Sequence, residues 1–260
     1  MQLFHLYLGE HKEMEQWKTH HIESVKTYID PIRNRITLIS QPTGSVSSGI
    51  AELDEMLGGL YVGQVTAVIG RSKLLSILLH RVCVKTFDMF HSPTIVLDAG
   101  NQLNPFFLAR LARVNTLSEQ ELLKQVYLSR AYTIYQLTDL IYTHIEPLIQ
   151  QVRPVTIILT GLFSLLANAD VSRDETLHLL QILMKQIKQM TTRYQVVTIL
   201  VDKHSPDCDA AFFDSLVNTT IKVQDMRHCP RITITQNDQQ VTVTSETFGQ
   251  LCLQDFGMVI

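Results

Sequence analysis

A chain of 260 residues, of which 45% are hydrophobic and 18% charged, is long and apolar enough to bury one large core with room for a small appendage. Its formal net charge of −3 disfavours a dedicated DNA-binding module, since such modules usually carry a basic excess that neutralises phosphates. No apolar run reaches the roughly 18 residues of a membrane helix and the N-terminus does not resemble a signal peptide, so we expect a cytoplasmic protein without membrane contact.

The cysteines and histidines show neither a disulfide pattern nor a metal-site pattern. The cysteines are widely scattered and lack CxxC spacing, which favours free thiols in a chain without a secretion signal: Cys83, Cys208, Cys229 and Cys252. The ten histidines do not show the two-by-two ligand spacing of zinc sites. We therefore predict no bound metal.

The beginning of the chain differs in character from the rest. It contains the only tryptophan, Trp17, in a polar helical stretch that precedes a short apolar run at residues 36–39. Pro42 and the glycine and serines that follow it are typical of a connector. We predict an N-terminal extension or small subdomain over residues 1–45 and one core domain over residues 46–260.

In the core, short apolar runs alternate with amphipathic segments. Strands are predicted at residues 65–69, 94–97, 126–128, 155–159 and 196–201. Helices are predicted at residues 48–60, 74–87, 105–113, 134–151 and 174–193. Strands that are apolar throughout and alternate with helices predict an α/β fold with a mostly parallel sheet covered on both faces. In the tail, alternating residues at 232–234 and 241–243 flank a turn-rich segment, which predicts an antiparallel hairpin at the sheet edge.

The first long strand is followed by a glycine and a helix, the arrangement in which α/β proteins bind phosphates with backbone amides. A working phosphate loop has the spacing G-x-x-x-x-G-K-[ST]. Here the junction consists of Gly70, Arg71, Ser72 and Lys73. The second glycine is missing, and Leu74 stands where a serine or threonine would bind Mg²⁺. Because three residues span at most about 10 Å, no loop can encircle a phosphate.

One segment resembles the lead-in to the ATPase core of the RecA superfamily: SGIAELDEMLGGLYVGQVTAVIG (48–70). In the archaeal and eukaryotic recombinases, their paralogues and the KaiC-like proteins, a Thr/Ser-Gly-x-x-x-Leu-Asp-x-x-Leu-Gly-Gly-Gly stretch runs through a strand into the phosphate loop. Residues 95–112 are similar to the next strand and helix of the recombinases, and residues 127–141 resemble their Ala-Arg-Ala segment. The resemblance covers residues 46–260 and implies a RecA-like P-loop NTPase fold.

Carried over residue by residue, the resemblance implies that the groups needed for ATP hydrolysis are lost. The water-activating glutamate of the family falls at Gly100, and its magnesium-linked aspartate falls at Thr160. The polar Asn-Gln pair that couples nucleotide to DNA in many recombinases falls within the apolar residues 199–201. With the shortened junction at Gly70, these changes remove the base, the metal ligand and the cradle on which phosphoryl transfer depends. We interpret the chain as a pseudo-ATPase, for which neither ATP nor Mg²⁺ is expected as a cofactor.

Three charged residues near these positions leave alternatives open. Arg71 and Lys73 either meet a phosphate at a helix N-terminus or are solvated charges on a shortened turn, and we favour the second interpretation. Asp98 either binds a metal or caps the helix that follows its strand. The sequence does not distinguish between these two roles of Asp98.

Residues 167–175 and 202–214 correspond to the first and second DNA-facing loops of the recombinases. The candidate residues for contact with DNA or a partner are Arg173 in the first loop and Lys203 and His204 in the second. Four aspartates in the second loop would repel a phosphate backbone. Strong DNA binding through these loops is therefore not expected.

The resemblance leaves three functions open. The favoured one is a non-catalytic recombinase paralogue in DNA recombination or repair, which binds a RecA-like recombinase or another repair protein in a homo- or hetero-oligomer and contacts DNA weakly or indirectly. Such a protein would be located with the DNA, in the nucleoid or nucleus. The second is an ATP-binding RecA-like or KaiC-like ATPase in which Arg71 or Lys73 replaces the missing cradle. The third is a signalling scaffold unrelated to DNA.

Overall fold

The computed structural model describes residues 44–169, 172–225, 230–236 and 239–244. Apart from its last two residues, the extension predicted for residues 1–45 lies outside this part of the chain. The strands are β1 (Ser45–Val46), β2 (Leu60–Tyr61), β3 (Val65–Ile69), β4 (Thr94–Asp98), β5 (Val126–Arg130), β6 (Thr156–Thr160), β7 (Val197–Asp202), β8 (Thr219–Asp225), β9 (Pro230–Gln236) and β10 (Gln239–Thr244). The helices are α1 (Ala51–Leu57), α2 (Lys73–Phe90), α3 (Pro105–Val114), α4 (Glu119–Lys124), α5 (Ile134–Asp139), α6 (Ile145–Val152), α7 (Leu162–Ala167), α8 (Arg173–Tyr194) and α9 (Ala210–Leu216), with a π-helical segment (Leu140–His144) between α5 and α6.

Eight strands form one sheet in the order β10-β9-β8-β3-β7-β6-β4-β5. In the part of the sheet that runs β8-β3-β7-β6-β4-β5, every adjacent pair of strands is parallel. β9 pairs antiparallel with both β8 and β10, and β1 and β2 form a separate antiparallel pair. The predicted α/β class, the mostly parallel sheet and the antiparallel hairpin at its edge are confirmed.

The inner strands β3, β4, β6 and β7 are buried along their whole length, as expected for strands covered on both faces. On one face, Thr86 of α2 hydrogen-bonds Thr156 of β6 with 2.8 Å between the hydroxyl oxygens. Thr191 of α8 hydrogen-bonds Thr198 of β7 at 2.6 Å. Thr156 is opposite Val197 in the strand register, so the side chains of Thr156 and Thr198 point to opposite faces. Helices α2 and α8 therefore cover opposite faces of the sheet.

The helix predicted at residues 134–151 is not a continuous α-helix, because the π-helical segment interrupts it. Its buried residues Leu137, Ile141, Ile145 and Ile149 recur every four residues, whereas an α-helix turns once in about 3.6 residues. A wider π-helical turn takes up the accumulated difference. The apolar residues thereby stay on the face that packs against the core.

Strand β8, which joins the parallel part of the sheet to the hairpin, was missed by the sequence patterns. Its threonines Thr219 and Thr220 are buried although polar, and Lys222 interrupts the apolar pattern. Helices α4, α7 and α9 were also missed, because six or seven residues are too few to establish a helical period. In the described parts of the chain, no helix combines the length and apolarity required to cross a lipid bilayer.

Candidate functional site

The parallel strands β3, β4, β6 and β7 all have their carboxyl ends on the same side of the sheet, which we call the strand-end edge. α/β proteins hold their ligands there. Residues singled out in the sequence lie there: Gly70 follows β3, Gly100 lies just beyond β4 and Thr160 ends β6. The amide of Gly70 donates to the carbonyl oxygen of Asp202 at 3.0 Å. The amide of Gly100 donates to Thr160 Oγ1 at 2.9 Å. The positions assigned to the catalytic glutamate and to the magnesium-linked aspartate are therefore in direct contact.

The junction between β3 and α2 is short, as predicted, and runs from Gly70 to Ser72. Ser72 caps α2, since its hydroxyl accepts a hydrogen bond from the amide of Leu74 at 3.1 Å. Gly70 has a φ of 152°, and a Cβ there would lie 1.9 Å from the carbonyl oxygen of Val223 in β8. The close approach of β8 therefore requires the glycine, and the chain enters α2 directly after Ser72.

The carboxylate of Asp98, at the end of β4, is buried and hydrogen-bonded on both oxygens. Oδ1 accepts from Thr160 Oγ1 at 2.6 Å and from the amide of Gln102 at 2.8 Å. Oδ2 accepts from the amide of Leu103 at 3.1 Å and lies 3.9 Å from Arg130 Nε. Asp98 thus fastens the connection after β4 to the end of β6.

These contacts bear on both roles considered for Asp98. The helix-cap interpretation is wrong, because Asn104 caps α3 by accepting from the amides of Phe106 at 3.0 Å and Phe107 at 3.3 Å. The metal interpretation finds no support, because both carboxylate oxygens already accept hydrogen bonds from the protein. Within the described residues, no group of three or more His, Cys, Asp or Glu side chains is arranged to hold a metal ion.

The position assigned to the catalytic glutamate is closely surrounded by polar side chains. A Cβ on Gly100 would lie 3.0 Å from Thr160 Oγ1 and 2.8 Å from Gln102 Nε2. Gly161, with a φ of 73°, approaches so closely that a Cβ there would lie 2.5 Å from the amide nitrogen of Gly100. The polar groups at this point link β4 to β6, and they do not fit a water-activating glutamate with a bound magnesium ion.

A second network connects Asp202, at the end of β7, to Arg71 in the junction. Asp202 Oδ2 accepts from the amides of Phe163 at 2.7 Å and Ser164 at 3.0 Å, at the start of α7. Ser164 Oγ donates to Asp202 Oδ1 and lies 3.1 Å from His204 Nδ1. The other ring nitrogen, Nε2, lies 3.0 Å from Arg71 Nη2. The serine lies between the carboxylate and the imidazole, whereas a catalytic triad needs the imidazole in the middle, so this is not a nucleophilic triad.

The cations proposed for contact with phosphate or DNA lie on the surface. Arg71, Lys73 and Lys203 are exposed. Arg173 Nε lies 3.3 Å from Asp207 Oδ2, with both side chains exposed. A surface ion pair of this kind contributes about 0–1 kcal/mol to the free energy of unfolding. It nevertheless places Asp207 of the second loop beside Arg173, the cation of the first loop.

His80 is a buried residue near this edge that the sequence patterns did not identify. Its Nδ1 lies 2.6 Å from the carbonyl oxygen of Ser76, and its Nε2 lies 2.9 Å from the amide of Asn104. A carbonyl only accepts and an amide only donates, so the ring is neutral with its hydrogen on Nδ1. Burial lowers the pKa of His80 below the ordinary value for imidazole. His80 therefore holds the start of α3 against α2.

Three exposed aromatic side chains follow the ends of β4 and β5 in the chain, and we call them together the aromatic surface: Phe106, Tyr132 and Tyr135, exposed by 87%, 64% and 73%. β4 and β5 are parallel neighbours with Asp98 opposite Arg130, so both connections leave the same edge of the sheet. Large exposed aromatic side chains are enriched in protein interfaces. The sequence patterns gave no indication of this surface.

Asp98, Thr160 and Asp202 at the strand ends have hydrogen-bond partners within the protein, and their arrangement holds chain segments to one another. The junction between β3 and α2 runs only from Gly70 to Ser72, and Gly100 and Thr160, which the resemblance aligns with the catalytic carboxylates, are hydrogen-bonded to each other. No model of a known protein family matches the chain, and no curated protein is significantly similar to it.

Proposed function

We propose that this chain is a non-catalytic protein with a RecA-like core that acts in DNA recombination or repair by binding other proteins. The observation that carries the proposal is the closure of the strand ends, where Thr160 hydrogen-bonds both Asp98 and the amide of Gly100. A hydrolase needs at this point a carboxylate base, an open metal position and a place for water. The resemblance of residues 46–260 to the recombinases supports the assignment to this superfamily.

Recovery of hydrolysis would require changes at several separate places. The junction at Gly70 would have to be lengthened against the backbone of β8. A side chain at position 100 would have to displace the side chain of Gln102 and press against the hydroxyl of Thr160. Asp98 would have to give up the hydrogen bonds that hold the following connection. Each of these contacts belongs to the packing around the carboxyl ends of the strands. The contacts that we propose prevent catalysis therefore also stabilise the domain.

Binding to another protein is supported by the aromatic surface. Phe106 is 87% exposed and Tyr135 is 73% exposed, so both are available to a partner. DNA contact by the chain itself is expected to be weak, because Asp207 offsets the charge of Arg173. The expected partner is a RecA-like recombinase or another repair protein, in a homo- or hetero-oligomer.

The test is affinity purification of the tagged full chain from its source cells, followed by identification of the co-purifying proteins. A recombinase or other repair proteins are expected with the wild type, and their recovery is expected to fall in the variant Phe106→Ser/Tyr135→Ser. The matched control is Met89→Ser near the end of α2, which also removes an exposed apolar side chain but lies outside the aromatic surface. Absence of repair proteins would overturn the proposal, and recovery of signalling proteins in their place would favour the scaffold function.

A further inference from the structure

We propose that the outer edge of β10 is a self-association site, to which a second copy of this chain adds its own β10 in antiparallel pairing. The sheets of the two copies then form one continuous sheet across a two-fold axis. The proposal rests on the sheet edge alone, so it holds or fails independently of a role in DNA repair.

β10 is the end strand of the sheet, and its partner within the described residues is β9. Gln236 and Gln239 are opposite each other with two residues between them, so they close a tight hairpin and exchange both of their backbone hydrogen bonds. Along an antiparallel pair, such residues alternate with residues that make no hydrogen bonds to the partner strand. The N–H and C=O groups of Gln240, Thr242 and Thr244 therefore point away from β9, toward the outer edge.

Pro230, the first residue of β9, provides an independent check of this alternation. Because Gln236 bonds to β10, the even-numbered residues of β9 direct their N–H and C=O groups toward β10 and the odd-numbered residues toward β8. Pro230 is opposite Asp225 of β8 and is even-numbered, so this pair requires no N–H from the proline. The position of the proline thus agrees with the pattern that leaves Thr242 facing outward.

An apolar row on one face of the sheet continues to this edge. Ile221 of β8, Ile234 of β9 and Val241 of β10 are opposite one another in the strand register and therefore lie on the same face. Ile221 and Ile234 belong to the hydrophobic core, with 0% and 6% of their surface exposed, whereas Val241 is 53% exposed. A strand added at the outer edge of β10 covers part of Val241 and extends the row.

The occupant that fits this edge is the same strand of a second copy. β10 has the sequence QQVTVT, without a charged residue or a proline, which are two features that commonly prevent pairing at exposed edges. The outward-facing residues of two copies match when Thr242 is opposite Thr242 and Gln240 is opposite Thr244. This register is symmetric about a two-fold axis, as in most homodimers, and it places no like charges opposite each other.

Sedimentation equilibrium of the purified full chain is the first test. The mass is expected to rise from 29.6 kDa toward twice that value between about 1 µM and about 300 µM, since pairing of one strand edge buries less area than a standard interface and gives association in the micromolar range. A mass that stays at 29.6 kDa throughout would overturn the proposal, because the edge is then covered by the chain itself or kept for a different protein.

Thr242→Pro removes the outward N–H at the two-fold axis without removing a hydrogen bond to β9. Two hydrogen bonds across the axis are lost in the dimer, so association is expected to weaken about tenfold or more. The matched control is Thr242→Val, which keeps the backbone donor and the branched shape and is expected to associate as the wild type does. Equal association of the proline and valine variants would show that β10 is not the interface.

Thr242→Cys tests the register and does not depend on the folding of the proline variant. The two introduced thiols face each other across the axis, within the distance that a disulfide spans, so mild oxidation is expected to give a covalent dimer. Thr233→Cys is the matched control, because Thr233 pairs with Thr242 on the same face but lies one strand farther from the axis in each copy. The wild type, with its own cysteines, and Thr233→Cys are expected to remain uncrosslinked; a protein that dimerises without crosslinking in Thr242→Cys uses another surface, which refutes the proposal.

Discussion

Replacement of Thr160 by valine removes one buried hydroxyl and keeps the branched shape of the side chain. The hydroxyl donates to the carboxylate of Asp98 at 2.6 Å and accepts from the amide of Gly100 at 2.9 Å. Thr160 is 0% exposed, so water does not take over either bond. A hydrogen bond to a charged group contributes about 1.5–3 kcal/mol and one between neutral groups about 0.5–1.5 kcal/mol. We therefore expect Thr160→Val to lower the free energy of unfolding by about 2–4 kcal/mol.

The matched control is Thr160→Ser, which keeps the hydroxyl and loses one methyl group at a cost of about 1 kcal/mol. Urea unfolding followed by circular dichroism gives the free energy for both variants. The valine variant is also expected to melt about 5–15 °C below the wild type. If Thr160→Val unfolds at the same urea concentration as the wild type, or at a higher one than Thr160→Ser, the strand ends are not held together by this hydroxyl.

Gly161→Ala is expected to lower stability in urea more than Gly100→Ala, because its Cβ would meet the backbone of Gly100 at 2.5 Å, whereas a Cβ on Gly100 would meet the movable end of the Gln102 side chain. The reverse order would contradict the close approach of the two connections. Burial lowers the pKa of His80 from 6.5, so on acidification the unfolded chain takes up this proton before the folded chain does. The contribution of His80 to the free energy of unfolding is therefore constant well above pH 6.5 and falls as the pH is lowered below 6.5. Between about pH 7.5 and about pH 5.5, His80→Gln is expected to lose less free energy of unfolding than the wild type. An equal loss in both proteins would refute the assignment of His80 as a buried neutral imidazole. Titration calorimetry with millimolar ATP and Mg²⁺ is expected to show no heat of binding, since the junction from Gly70 to Ser72 lacks the length and the second glycine of a phosphate loop; a saturable heat would favour the ATP-binding function.

The fold was predictable where burial is uniform or periodic along one segment. Strand β3 is buried throughout and apolar except for Thr66, and α8 places Leu180, Met184 and Ile187 at helical spacing, so each indicates its own structure. Strand β8 does not, because the burial of Thr219 and Thr220 results from pairing with β3 and β9 on either side. Strand β3 lies far away in the chain, and β9 was itself only predicted as part of a hairpin. The local pattern of β8 therefore does not identify it as a strand.

The candidate site was predictable only as a set of positions. The spacing of the resemblance indicated that Gly100 and Thr160 lack the expected carboxylates, but it did not indicate what those residues do. The bond from Thr160 to Asp98 joins residues 62 apart in the chain, and the contact between Arg71 and His204 joins residues 133 apart. Contacts at such separations depend on the order of the strands, which the amphipathic pattern of single segments does not contain.

The order of the strands also determines how late in synthesis the sheet is completed. β3 has β7 and β8 as its neighbours, and Val65 is opposite Thr198. By contrast, β4 pairs with both β5 and β6 within residues 94–160. Contacts between residues close in the chain form faster than distant ones, so we expect these three strands to assemble first. β3 must then remain without its sheet partners until residues 197–225 have left the ribosome, which makes this early strand especially dependent on protection from aggregation.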